Sequence, residues 1–421
     1  MNRLKNIFFY SGEKYLIVLV SFITTIILSR KIEPELFGSI ILIQSIVIIF
    51  SIVTLLSMDS IFIKELTVNK TESTYKSIFF IKFSFSLAAF LLYLLFSYFF
   101  SSNLNYISII ILGLPILFAA STYVDILLMA EKKIYKLSSI NIILLAINGI
   151  IKCLILQFFD LSSLQICFLL VFDQIFSRIF VVFFGIYIEK LLYLELLKVT
   201  KYTIYKAIFF LKKGLPLIIS SIFLIGYVRS NQFIINYFLG PTELTYFSLP
   251  IKIIDGVSII ITTYVAAVFP YLVSNINNKP INYAALQYFN NITKLGLLLS
   301  IIFYYFSEEI IFLLFGEQYY LSVTVMKIYS IAIFFNFIFI SSGKWLIATD
   351  KIKLTARRNI LAFFINIVLS LVLVPLIGIN GAAIASLIAW AIAGFFIFLM
   401  SDRWLFHKIV TSLICFRVKN D

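Results

Sequence analysis

The chain has 421 residues, of which 62% are apolar and only 13% charged, with a formal net charge of +14. Soluble domains carry about a quarter charged residues, so this composition excludes a water-soluble globular protein and places the chain in lipid. The positive balance requires no nucleic acid, because basic residues beside membrane spans meet anionic headgroups.

In chain order, the N-terminal stretch MNRLKNIFFYSGEKYLIVLV sets basic residues before an apolar run with no small-residue cleavage site, so the first span is expected to remain as an anchor. A helix needs about 20 apolar residues to cross a bilayer. Six such runs fall near residues 15–28, 39–58, 79–100, 106–129, 138–158 and 164–188. After a polar, basic stretch six more follow near 215–238, 246–272, 292–315, 325–347, 359–377 and 382–400. The expected fold is therefore an all-α integral membrane protein of about twelve helices, in two six-helix bundles at 1–200 and 201–421.

Cations in the connections set the orientation, since positive flanks are retained in the cytoplasm. With the N-terminus inside, the clusters at Lys132, Lys133 and Lys136, at Lys190, Lys198, Lys201, Lys206, Lys212 and Lys213, and at Lys351, Lys353, Arg357 and Arg358 are all cytoplasmic. Only Arg30 and Lys31 fall outside, and both termini are expected inside. Cys153, Cys167 and Cys415 show no pairing pattern, so no disulfide is expected.

The two halves echo each other. The segment beginning at Ala130 lies over the one beginning at Ala348, matching Lys133 with Lys351, Asn141 with Asn359 and Asn148 with Asn366. A weaker echo sets Glu35 and Leu36 over Glu243 and Leu244. Repeats in one orientation imply parallel pseudo-symmetry about the membrane normal, with a cavity between bundles.

Ionisable residues inside spans are the functional candidates, because each costs about 2.5–3.5 kcal/mol at mid-helix unless it meets a partner or water. Arg229 lies two-thirds along its span, too deep for easy snorkelling, and is expected to face a cavity or to pair with Asp173 or another acid. Lys152 and Arg178 are placed equally for a cavity or for structural pairing. Lys252 and Asp255, three apart, share a helix face and are able to neutralise each other. Lys82, Asp125 and Lys344 lie near cytoplasmic ends, where lysines snorkel to headgroups. Cations outnumber acids in this set, which suits an anionic ligand and disfavours a cation exporter.

Pro115, Pro216, Pro250 and Pro375 fall within spans, where a missing hydrogen bond bends the axis and permits rocking between inward-open and outward-open states. No GxxxxGK[ST] loop occurs and the single histidine is His407, so neither ATP hydrolysis nor a histidine metal site is expected, and no cofactor. With short outer connections and no DxD, a membrane polymerase or glycosyltransferase is the weaker reading.

Four segments carry a resemblance: the PELFG hairpin, FFLKKGLPLIISSIFLIGYVRSNQFIINYFLGPTELTYFSLPIKIID, LFGEQYYLSVTVMKIYSIAIFF and VPLIGINGAAIASLIAW. In this order they resemble the Wzx-type O-antigen flippases, of the MATE-like exporters of drugs, oligosaccharidyl-lipids and polysaccharides. The resemblance implies translocation of undecaprenyl-pyrophosphate-linked oligosaccharide, an O-antigen or similar repeat unit, from the inner to the outer leaflet of a bacterial inner membrane. It also implies a polysaccharide polymerase and a chain-length regulator as partners. A cation-coupled exporter of small molecules in the same superfamily is the alternative. Where such sequences often carry an aspartate in the seventh span, this one has Asn231, which removes a carboxylate able to hold a coupling proton or cation.

Overall fold

The computed structural model describes residues 2–55, 58–68, 71–99, 104–131, 133–188, 200–278, 280–349 and 351–414. Lys132, Lys190, Lys198 and Cys415 lie outside them. Every regular element among these residues is helical, as lipid demands, because a helix satisfies its own backbone donors and acceptors. Among the described residues, ten helices are long and apolar enough to cross a membrane, and a bent pair makes an eleventh. The seventh expected span lies within a further helix, Lys201–Leu239, whose 39 residues exceed what a bilayer requires.

The chain divides into two compact units, Met1–Ile225 and Gly226–Asp421. The first holds α1 (Asn2–Lys31), α2 (Pro34–Leu55), α3 (Asp59–Val68), α4 (Glu72–Tyr98), α5 (Tyr106–Phe118), α6 (Thr122–Ala130), α7 (Ile134–Phe158) and α8 (Ser163–Ile188). Here α1 packs on α7, α2 and α5 on α4, and α5 on α8. The short α3 is no span; its Phe62 and Leu66 join Phe79, Tyr123 and Phe210 in a fully buried core. Ala207 and Phe210 belong to α9 (Lys201–Leu239), which explains why the division falls inside that helix and not at its start.

The second unit holds the rest of α9, then α10 (Pro241–Asn278), α11 (Ile281–Tyr305), α12 (Ser307–Leu314), α13 (Leu321–Ala348), α14 (Ile352–Ile377), α15 (Ile379–Ala391), α16 (Ile397–Ser401) and α17 (Arg403–Ile414). Its centre is α13, packed against α10, α11 and α15, while α17 closes on α11. A single π-helical turn at Ile392–Phe396 separates α15 from α16.

Two interruptions differ in cause. The fourth span breaks at a 3-10 turn, Ala119–Ser121, directly after the turn that contains Pro115. The ninth expected span, 292–315, is not continuous: α11 and α12 meet at a bend of 69° with no proline. Ser307 turns its hydroxyl back onto the carbonyls of Phe303 and Tyr304, and Glu308 and Glu309 open α12. Acids favour a helix N-terminus, so a new helix starts where the hydropathy alone reads as one. At Pro250, in contrast, α10 runs on unbroken.

Candidate functional site

The seven candidate residues separate into two kinds. In the first unit each cation is matched by its own carboxylate. Lys152 of α7, buried, places Nζ 2.9 Å from Asp173 Oδ2 of α8, also buried. Arg178 of α8 donates through Nη1 to Asp125 Oδ2 of α6 at 2.7 Å. Lys82 of α4 is fully buried and lies 2.8 Å from Asp59 Oδ1, with its ammonium 5.8 Å from the centre of the Phe62 ring. This corrects the expectation that Lys82 snorkels: α3 begins with Asp59 and brings the counter-charge to the lysine, so its chain has no need to reach the headgroups. Asp173 likewise serves Lys152 and not Arg229. Such pairs hold helices in register, and breaking the one that is buried at both ends, Lys152–Asp173, costs far more than the pair is worth.

The second unit keeps positive charge unmatched. Arg229 on α9, half-buried, has its Nε buried without a hydrogen-bond acceptor. Lys252 and Asp255 lie one turn apart on α10, the lysine half-buried and the acid exposed. The three act on one another electrostatically, and among the described residues no direct hydrogen bond or ion pair joins them. Lys252 and Asp255 thus do not form the local pair their spacing allows. One acid against two cations leaves the trio at +1. A guanidinium with a free edge is suited to a two-point hydrogen bond with phosphate or carboxylate oxygens. Lys344, exposed near the end of α13 and 5.8 Å from the ring centre of Phe269, is the lysine that does reach outward.

Beside the trio lies a polar network that carries no charge. Asn231 Nδ2 donates to Ser386 Oγ at 2.8 Å and to the Ala382 carbonyl at 3.2 Å. Its Oδ1 accepts from Asn366 Nδ2 at 2.9 Å and from Ser370 Oγ at 2.8 Å. Tyr329 donates its hydroxyl to Ser386 Oγ at 3.1 Å. All four hydrogen-bonding positions of the Asn231 amide are therefore used. The network is built of neutral side chains and links α9, α13, α14 and α15, with Tyr227 and Tyr329 set edge-on to Trp390. Its signal in the sequence is the Asn148–Asn366 match of the repeat; in the first unit Asn148 Nδ2 is buried with no partner.

Arg358, read above as a loop cation, is also misplaced by the sequence. It lies in the second turn of α14, 2% exposed, and bonds through its guanidinium to Ser342 Oγ and the Phe339 carbonyl while stacking 4.3 Å over the Phe339 ring. Gly343 makes the room, since a Cβ there would come within 2.8 Å of Arg358 Nη2. No carboxylate takes part in these contacts.

Comparison with known proteins agrees with this architecture. Residues 3–276 match a family described as polysaccharide biosynthesis protein. No curated protein matches the chain by sequence. Among solved structures, the lipid II flippase MurJ in an inward closed conformation aligns with a TM-score of 0.72 at 15% identity, covering 97% of this chain and 91% of its own. An inward-facing multidrug resistance MATE transporter of the MOP superfamily gives 0.66 at 11%, covering 94% of each chain. A MOP-superfamily transporter from Pyrococcus furiosus gives 0.63 at 10%, covering 98% and 96%. At these identities the likeness is one of fold, and the fold is that of the MOP-superfamily transporters expected from the sequence.

Proposed function

We propose, from the premise that the chain belongs to the polysaccharide biosynthesis protein family, that it flips a lipid-linked oligosaccharide across a bacterial inner membrane. The substrate is an undecaprenyl-pyrophosphate-linked repeat unit of O-antigen or a similar surface polysaccharide. The chain moves it to the outer leaflet by alternating access, without changing its covalent structure. Both termini are cytoplasmic in this reading, and a polymerase and chain-length regulator receive the product.

The observation that carries the reading is the trio of Arg229, Lys252 and Asp255. Two cations on adjacent spans share one acid, and the buried Nε of Arg229 has no acceptor. An anionic head group crossing a low-dielectric region needs such compensation, which neutral sites do not supply. The paired cations of the first unit have their charge already spent on Asp59, Asp125 and Asp173, so they hold helices and do not meet the ligand. With no GxxxxGK[ST] loop in the chain, coupling draws on the membrane potential, an ion gradient or downstream consumption of product, and Asn231 supplies no carboxylate for it.

The test is translocation of labelled lipid-linked oligosaccharide into vesicles containing equal amounts of wild-type protein, Arg229→Ala or Lys252→Ala. Transport in each variant is expected to fall at least tenfold, the equivalent of about 1.4 kcal/mol of lost charge-assisted bonding. Unchanged transport in both removes the cationic trio from the mechanism, and a product of altered mass shows an enzyme.

A further inference from the structure

In the first unit one buried carboxylate lacks a counter-charge. Glu13 of α1 is 6% exposed and lies in the first turn of the span that opens at Ser11. Among the described residues it forms no ion pair, and its hydrogen bond comes from α7, where Asn141 Nδ2 donates to Glu13 Oε1 at 3.0 Å. The cations of the helices around it are placed otherwise. Lys14 and Lys136 are exposed, Lys133 lies 2.7 Å from Glu131, and on α7 and α8 Lys152 and Arg178 are held by Asp173 and Asp125.

Two further oxygens on α7 are unserved. Asn141 is 4% exposed, and its Oδ1, on the same amide whose nitrogen holds Glu13, has no donor. One turn earlier on the same buried face, Ser138 is fully buried and its Oγ has no partner. Thr24 and Ser45, in contrast, return their hydroxyls to the carbonyl four residues back. Gly12 faces Ile142 and Val20 faces Gly149, so α1 and α7 lie close and run in the same direction. Helix side chains lean toward their own N-terminus, and Glu13 and Asn141 therefore both lean toward the level of Ser138.

A buried charge is held by an opposite charge or by a metal ion. A trapped water would serve Asn141 and Ser138 but leave the charge of Glu13 uncompensated, whereas a cation serves all three. We infer that Glu13, Asn141 and Ser138 form a binding site for a sodium ion between α1 and α7. Carboxylate, amide carbonyl and hydroxyl are hard oxygen ligands, and the cluster has no thiol or imidazole to favour a softer metal. One negative charge is cancelled by a monovalent ion, while a divalent ion would leave a buried excess of +1. The site binds a cation in the first unit and is distinct from the positive trio of the second.

The experiment follows the purified full-length protein in detergent by thermal unfolding and by binding of radioactive sodium, with choline chloride replacing sodium chloride at constant ionic strength. Sodium is expected to raise the wild-type unfolding temperature saturably, as a ligand of the folded state does. Glu13→Gln, nearly the same shape, abolishes both the rise and the binding. Ser138→Ala keeps the fold and raises the half-saturating sodium concentration by roughly 10–100-fold, the range for losing one group that supports a metal site. Glu308→Gln, exposed on α12, changes neither readout. Equal unfolding temperatures in sodium and choline, or sodium binding untouched by Glu13→Gln or by Ser138→Ala, overturn the inference. So does stronger, Glu13-dependent protection by magnesium, which assigns the site to a divalent ion. The readout is binding of the ion alone, and it holds whatever the trio transports.

Discussion

The buried cations divide by what each has within reach. Lys152 and Asp173 lose their hydration together and recover it only through each other, so removing one strands the other. Lys152→Ala is expected to destabilise the purified protein by about 3–5 kcal/mol, while Lys152→Met combined with Asp173→Leu restores most of that loss; thermal unfolding in detergent of the three variants decides it. Equal loss in single and double variants argues against the pair. The charges were visible in the sequence because an ionised side chain in an apolar run has no neutral explanation. Their partners were not, since Asp173 lies 21 residues from Lys152 and Asp125 lies 53 from Arg178, and no local spacing rule spans that distance. Arg358 escaped for the opposite reason: it follows Lys351, Lys353 and Arg357 so closely that it reads as one more loop cation, until α13 is laid against it.

At the level of elements, hydropathy located nearly every helix, because burial in lipid imposes length and apolarity together. It failed where capping chemistry acts inside an apolar run, as at Ser307, and where an acid-headed helix such as α3 serves only to carry a counter-ion and a core patch. The turn between α9 and α10 was better marked. Gly240 has φ +92°, its N–H closes onto the carbonyls of Ile235 and Asn236, and Pro241 starts the next helix. This is the glycine stop followed by proline start that helices favour. Gly240→Ala is expected to cost about 1–2 kcal/mol, whereas Gly256→Ala, in mid-helix with open space for the methyl group, is neutral or stabilising by up to about 1 kcal/mol. The two melting temperatures, measured side by side, settle the comparison; a silent Gly240→Ala contradicts the turn.

For the molecule as a whole, the sequence carries an orientation that can be read directly. In a background of Cys153→Ser, Cys167→Ser and Cys415→Ser, an impermeant maleimide is expected to label Lys31→Cys in intact cells and Lys136→Cys only after permeabilisation. The reverse pattern inverts the topology. The two units also differ in how an electric field acts on them. In the first, each deep cation travels with its own carboxylate, so a voltage across the bilayer pulls equally in both directions and does no work on the pair. In the second, Arg358 and the excess charge of the trio have no such counterweight. Each elementary charge carried through the full potential exchanges about 2.3 kcal/mol per 100 mV. Any rearrangement that shifts α9, α10 or α14 along the membrane normal therefore has a gating charge.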